Sequence, residues 1–183
     1  MNLHIVAEGQ TDAELLKRLL GPESSRSGGQ LRFHAAGGWS GADSLARSIL
    51  AVRREPVVLV VDADGGTETA MEREAFLLES LGAVGRRELF EVVVFTPALE
   101  VLLFQDDAFL GRIARRLPTE VERVRAEYDP KRVLEALEVR RDEIAGHLRH
   151  ADIDLLRSAP EIQRIVSFLN RWIDRSLPAK VAV

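Results

Sequence analysis

Five consecutive apolar residues, Val57-Val58-Leu59-Val60-Val61, stop abruptly at Asp62-Ala63-Asp64-Gly65-Gly66. A run of this length without polar alternation fits a strand buried on both faces, as in a parallel sheet covered by helices. Few other arrangements tolerate it. The acids that end the run then fall at a strand's carboxyl end, where open α/β sheets bind ligands. An earlier apolar run ends the same way, at Ala7-Glu8-Gly9-Gln10-Thr11-Asp12. Three hard oxygen ligands brought together there would suit Mg²⁺, and Mg²⁺ suits phosphate chemistry.

The rest of the first half supports a β-α alternation. Leu3 to Ala7 reads as a strand. Thr11-Asp12-Ala13-Glu14 fits a capping box, with Thr11 as N-cap and Glu14 at N3. Leu15, Leu16, Leu19 and Leu20 give that helix an apolar face, and Gly21-Pro22 ends it. Polar residues 23–30 read as a loop and Leu31 to Ala35 as a second strand. Gly37-Gly38-Trp39-Ser40-Gly41 reads as a turn, or as backbone able to approach a phosphate. Helices are expected from about Ala42 to Arg53 and from Thr67 to Leu81, and a fourth strand from Leu89 to Phe95. Thr96-Pro97 looks like the N-cap and N1 pair of another helix. This pattern predicts an α/β fold with a mainly parallel four-stranded sheet and right-handed crossovers.

After about Asp107 no further strand is convincing. Asp129-Pro130 opens a helix expected to reach about Ile144, with Tyr128 stapled onto Val133. A last amphipathic helix, Ala159 to Arg175, carries Ile162, Ile165, Val166, Leu169, Trp172 and Ile173 on one side. The expected division is an α/β domain over 1–106 and a helical appendage packed on it over 107–183.

Composition narrows the chemistry. With no cysteine, disulfides and thiolate metal sites are excluded. The start lacks a basic, then long apolar, leader and no apolar run spans a membrane, so a soluble cytoplasmic protein is expected. A net charge of -4 gives no bulk attraction to nucleic acid, so any such contact needs a local basic patch. Arg112, Arg115, Arg116, Arg123 and Arg125 form one candidate; an exposed face balanced by Glu120, Glu122 and Glu127 is the other reading. His147 and His150, near Asp152 and Asp154, read as solvated helix-end residues rather than a zinc site.

Glu8-Gly9 together with Asp62-Ala63-Asp64 resembles the Toprim domain. That family includes topoisomerases, bacterial primases, small maturation ribonucleases and the OLD-type nucleases. Its signature is a Glu-Gly after strand one and an Asp-x-Asp after strand three of a Rossmann-like sheet. The resemblance covers about residues 1–106. Residues 95–103, with Pro97 and Glu100, also look like the Pro-x-x-Glu stretch of small stand-alone Toprim-like proteins. The resemblance implies Mg²⁺, with Mn²⁺ as substitute, held by Asp62, Asp64, Glu100 and Glu8. Glu8, Asp62 and Asp64 would be catalytic, Glu8 as ligand or proton carrier, with Asp12, Gly9 and Gly65 in supporting positions. Glu14 is better read as a cap, and Glu100 as ligand or helix-dipole partner alike. OLD-type enzymes usually carry a catalytic lysine; Lys17 falls in the first helix and Lys131 in the appendage.

The function expected is a Mg²⁺-dependent phosphodiester hydrolase on nucleic acid, in phage defence or repair, with Arg112, Arg115 and Arg116 on the substrate backbone. The chain has no Gly-x-x-x-x-Gly-Lys-Ser/Thr, so an ATPase would have to be a separate partner. The rival is a non-enzymatic Toprim-like module that binds metal or nucleotide and regulates a protein partner. A small-molecule phosphotransferase on the same cluster is a third reading.

Overall fold

The four strands are β1 (Leu3–Ala7), β2 (Leu31–Ala35), β3 (Val57–Asp62) and β4 (Phe90–Phe95). In this computed structural model, which describes residues 1–176, all are parallel and lie in the order β2-β1-β3-β4. The last residues of the expected appendage, 177–183, lie outside the described residues. Side chains alternate between two cores. Ile5, Val58, Val60, Val93 and Phe95 face one apolar cluster; Val6, Leu59, Val61, Val92 and Val94 face the other. That two-sided burial is why β3 is apolar up to Asp62 and β4 is apolar except for Glu91.

Helix α1 (Gln10–Leu19) covers the first face, followed by α2 (Gly21–Arg26). Helices α3 (Trp39–Ser48) and α4 (Thr67–Gly82) cover the second, packing on β3 and β4. The chain goes from β1 outward to β2, then returns across β1 to start β3 on its other side. The order therefore reverses between β1 and β3, and a crevice opens outside their carboxyl ends.

The remaining described residues form α5 (Asp107–Ile113), α6 (Glu120–Ala126), α7 (Pro130–Ala136), α8 (Ile144–His147), α9 (His150–Arg157) and α10 (Pro160–Ser176). Phe109, Leu134, Leu156, Ile162 and Leu169 join the same cluster as Ile5 and Phe95, and α10 lies against β4 and α2. No helix of the described residues is long and apolar enough to cross a membrane.

Several local expectations are corrected. The N-cap of α1 is Gly9, not Thr11; Asp12, at N3, accepts a hydrogen bond from the Gly9 N–H at 3.0 Å. Gly21-Pro22 opens α2 rather than a loop, because Pro suits the first helical position. Thr96-Pro97 is a cis peptide and starts no α-helix; a 3-10 stretch, Leu99–Gln105, follows. The helix from Pro130 stops at Ala136, with Glu138 at a positive φ of 56° just beyond. Tyr128 does not staple onto Val133; its ring is 74% exposed while Val133 is buried.

Candidate active site

Glu8 follows β1 and Asp62 ends β3, so the order reversal brings two distant segments to one crevice. The Asp62 N–H donates to Glu8 Oε1 at 2.9 Å. The β4 end closes the crevice from the other side. Ala63 N–H donates to the Phe95 carbonyl, and Asp64 N–H to the Pro97 carbonyl. Asp64 itself takes a left-handed φ of 50°, a conformation Asp tolerates better than most residues and one that recurs at functional sites.

Asp62 is only 4% exposed, and both its oxygens are engaged. Oδ1 accepts from the Leu99 N–H at 2.9 Å. Oδ2 accepts from Lys131 Nζ at 2.5 Å, and the same ammonium stands 3.5 Å from Asp64 Oδ1. Lys131 sits in the first turn of α7, which packs against α6 and the 3-10 stretch after β4. Arg73, from α4, donates to the Asp62 carbonyl and reaches Asp64 Oδ2 at 3.5 Å. Glu100, 2% exposed, accepts from Arg141. Its Oε2 and the Arg141 Nε are buried with no partner among the described residues.

These acids strain against one another. Burial pushes the Glu8 carboxyl up, and repulsion from Asp62 and Asp64 adds to it, against the hydrogen bond from the Asp62 N–H. Burial likewise raises Glu100, with repulsion from Asp62 adding and the attraction of Arg141 opposing. Burial alone would lower Lys131, but its contact with Asp62 overcomes that and raises it well above the ordinary lysine value. Lys131 is therefore a fixed positive charge at neutral pH.

The carboxylates present only hard oxygen donors, the type Mg²⁺ and Mn²⁺ take. Their mutual repulsion and the unpartnered Glu100 oxygen fit a centre that gains from added positive charge. As they stand, among the described residues no three acids or histidines are grouped closely enough to hold a metal, and Lys131 lies between Asp62 and Asp64. The donor chemistry fits a divalent cation, and the positive charge within the cluster is a lysine.

Other expected positions fall as follows. Gly9 and Asp12 are joined at the start of α1 beside Glu8, and Gly65 packs against Thr69. Gly37 and Gly38 direct their N–H groups to the Glu8 carbonyl at 2.8 and 3.1 Å, so this turn closes on the protein itself. Gly41 is required there: a Cβ would lie 2.3 Å from the Ala36 carbonyl oxygen. Glu14 hydrogen-bonds Gln10 on the surface of α1. Arg112 pairs with buried Asp152, Arg115 with Glu138 and Arg116 with Glu122. The pairing of Asp152 takes it from any histidine site; the side chain of His150 lies outside the description.

Lys131, Arg73 and Arg141 were not singled out as site residues from sequence. For Lys131 the sequence holds two signals, the rarity of lysine, three against 22 arginines, and the lysine usual in OLD-type enzymes, but neither chooses it over Lys17.

No protein-family model and no curated protein matches the chain. Solved structures do. The C-terminal region of the Burkholderia pseudomallei OLD protein matches with a TM-score of 0.57 at 15% identity, over 93% of this chain and 97% of that one. The C-terminal region of the Xanthomonas campestris pv. campestris OLD protein matches with a TM-score of 0.57 at 16% identity, over 94% and 95%. The chain thus has the Toprim-like α/β fold of these regions, and the likeness extends through the helical segment.

Proposed function

We propose that the chain is a Mg²⁺-dependent phosphodiester hydrolase acting on nucleic acid. One observation carries the reading: at the topological switch point Asp62 and Asp64 share the Lys131 ammonium, and the Glu8 carboxylate accepts from the Asp62 N–H. Glu8, Asp62 and Asp64 would hold the ion, with Glu100 beside them. The ion supplies neutralisation of the charge that develops on a phosphate. Lys131 Nζ adds a second positive charge, oriented before substrate arrives. Its raised pKa makes it an electrostatic group rather than a proton donor. Glu8, its carboxyl pushed up by burial, is the residue suited to take or give a proton. Arg115 and Arg116, exposed on the helical segment, would contact the substrate backbone.

The two solved structures are C-terminal regions of OLD proteins, and an ATPase is the partner expected to work with this chain. The regulatory-module reading draws on the pairing of Asp62 with Lys131 and Glu100 with Arg141, which neutralises acids without metal. Cleavage separates the two. Purified chain with Mg²⁺ or Mn²⁺ should cut labelled single-stranded, duplex or structured oligonucleotides. Asp62→Asn should reduce the rate by about 10²-fold or more, the size of effect seen when one preorganised electrostatic group is lost. Equal cleavage by Asp62→Asn, or none by wild type, would leave the module reading.

A further inference from the structure

Tyr128 has no task in the chemistry above, yet it stands on the rim of the same site. It is the chain's single tyrosine and lies in the three-residue link between α6 and α7. Its ring has no aromatic or cationic partner among the described residues. The link itself is held firmly. The N–H groups of Tyr128 and Asp129 both donate to the Arg125 carbonyl, at 3.0 and 2.8 Å. The Asp129 carboxylate then caps α7 by accepting from the Arg132 N–H at 3.2 Å.

Tyr128, Pro97, Ala98 and Pro130 line a recess of about 300 Å³ together with Asp64, Asp129 and Lys131. That size is at the lower bound of the roughly 300–1,000 Å³ typical of ligand clefts. A recess walled by an exposed ring and two prolines, beside the Lys131 ammonium, suits a flat base attached to a phosphate. Neighbouring charge agrees. Arg125 and Arg132 are exposed and have no ion pair among the described residues. Arg112, Arg115, Arg116 and Arg123 are each paired with an acid. An aromatic ring between unpaired cations is the arrangement that holds single strands, by stacking and by backbone attraction together.

We propose that Tyr128 is a stacking platform for one base of a single-stranded nucleic acid, seated beside Lys131, with Arg125 and Arg132 on its phosphates. The inference rests on the nuclease reading and adds the substrate class. A base inside a duplex already has both faces stacked and would first have to be flipped out.

The test is binding by the full chain in EDTA, read by fluorescence anisotropy so that no cleavage is involved. The probes are labelled oligothymidylate, oligouridylate and a hairpin duplex of matched length. Circular dichroism checks that each variant is folded. Tyr128→Ala should weaken single-strand binding about tenfold or more, and Tyr128→Phe by less than about twofold. Hairpin binding should stay within about twofold for both. Arg125→Gln and Arg132→Gln should each flatten the log–log salt dependence by roughly 0.7. The DNA and RNA probes show which sugar the site takes. Unchanged single-strand binding by folded Tyr128→Ala overturns the stacking role and leaves the nuclease reading standing. Absence of binding to every probe by wild type overturns both.

Discussion

Asp62 is held by two donors of different kinds, the Leu99 N–H and the Lys131 ammonium, and through them the ends of β3, β4 and α7 meet at one carboxylate. A second polar network sits near the amino end of β3. His4, 1% exposed on β1, bridges His34 at 2.9 Å and Glu55 at 2.8 Å. Burial opposes ionisation of Glu55, but hydrogen bonds from the Asn2 N–H and from His4 bring its carboxyl down to about 2. A carboxyl depressed in the folded state adds stability above its ordinary value and loses it as pH falls toward the folded value. Glu55→Gln should therefore unfold at lower urea concentration than wild type at pH 7. The gap should narrow between pH 4.5 and about 2. A gap that is constant across that range would show that Glu55 acts through shape alone.

At the scale of elements, α2 shows what the helical segment does for the fold. Its Glu23 is 3% exposed and ion-paired with Arg157 of α9, which also donates to the Leu19 carbonyl. Arg157→Ala would leave a buried carboxylate without its cation and should cost about 3 kcal/mol in chemical denaturation. A loss under about 0.5 kcal/mol, the scale of an ordinary surface change, would contradict that role. The strands were legible in sequence because parallel strands buried on both faces are plain apolar runs. Helix α2 was not, because Gly, Pro and Ser read as a loop until Arg157, 134 residues on, pairs with Glu23. Thr96-Pro97 has the residues of a helix start, but a 3-10 stretch beginning at Leu99 follows it instead. The meeting of Glu8 with Asp62 was legible because both stand at the carboxyl ends of apolar runs that pair in one parallel sheet. Lys131 was not, since only tertiary packing carries it across 69 residues of sequence to Asp62.

For the whole molecule, the strand order fixes where chemistry can occur, and the helices after Asp107 complete it. They share an apolar cluster with β1 and β4 and supply Lys131 and Arg141. We propose that residues 1–106 alone form an incomplete site. The central claim is that the switch-point carboxylates are a divalent-cation centre, and a ligand that binds only the native state stabilises the entire fold. The most direct measurement is the melting temperature of wild type and Asp62→Asn, each with and without Mn²⁺. At a free concentration about ten times the dissociation constant, binding adds about 1.4 kcal/mol. For a chain of this size that is a rise of roughly 3–6 °C. Wild type should show that rise and Asp62→Asn should lose nearly all of it; an identical response of the two proteins would mean that these carboxylates hold no divalent cation.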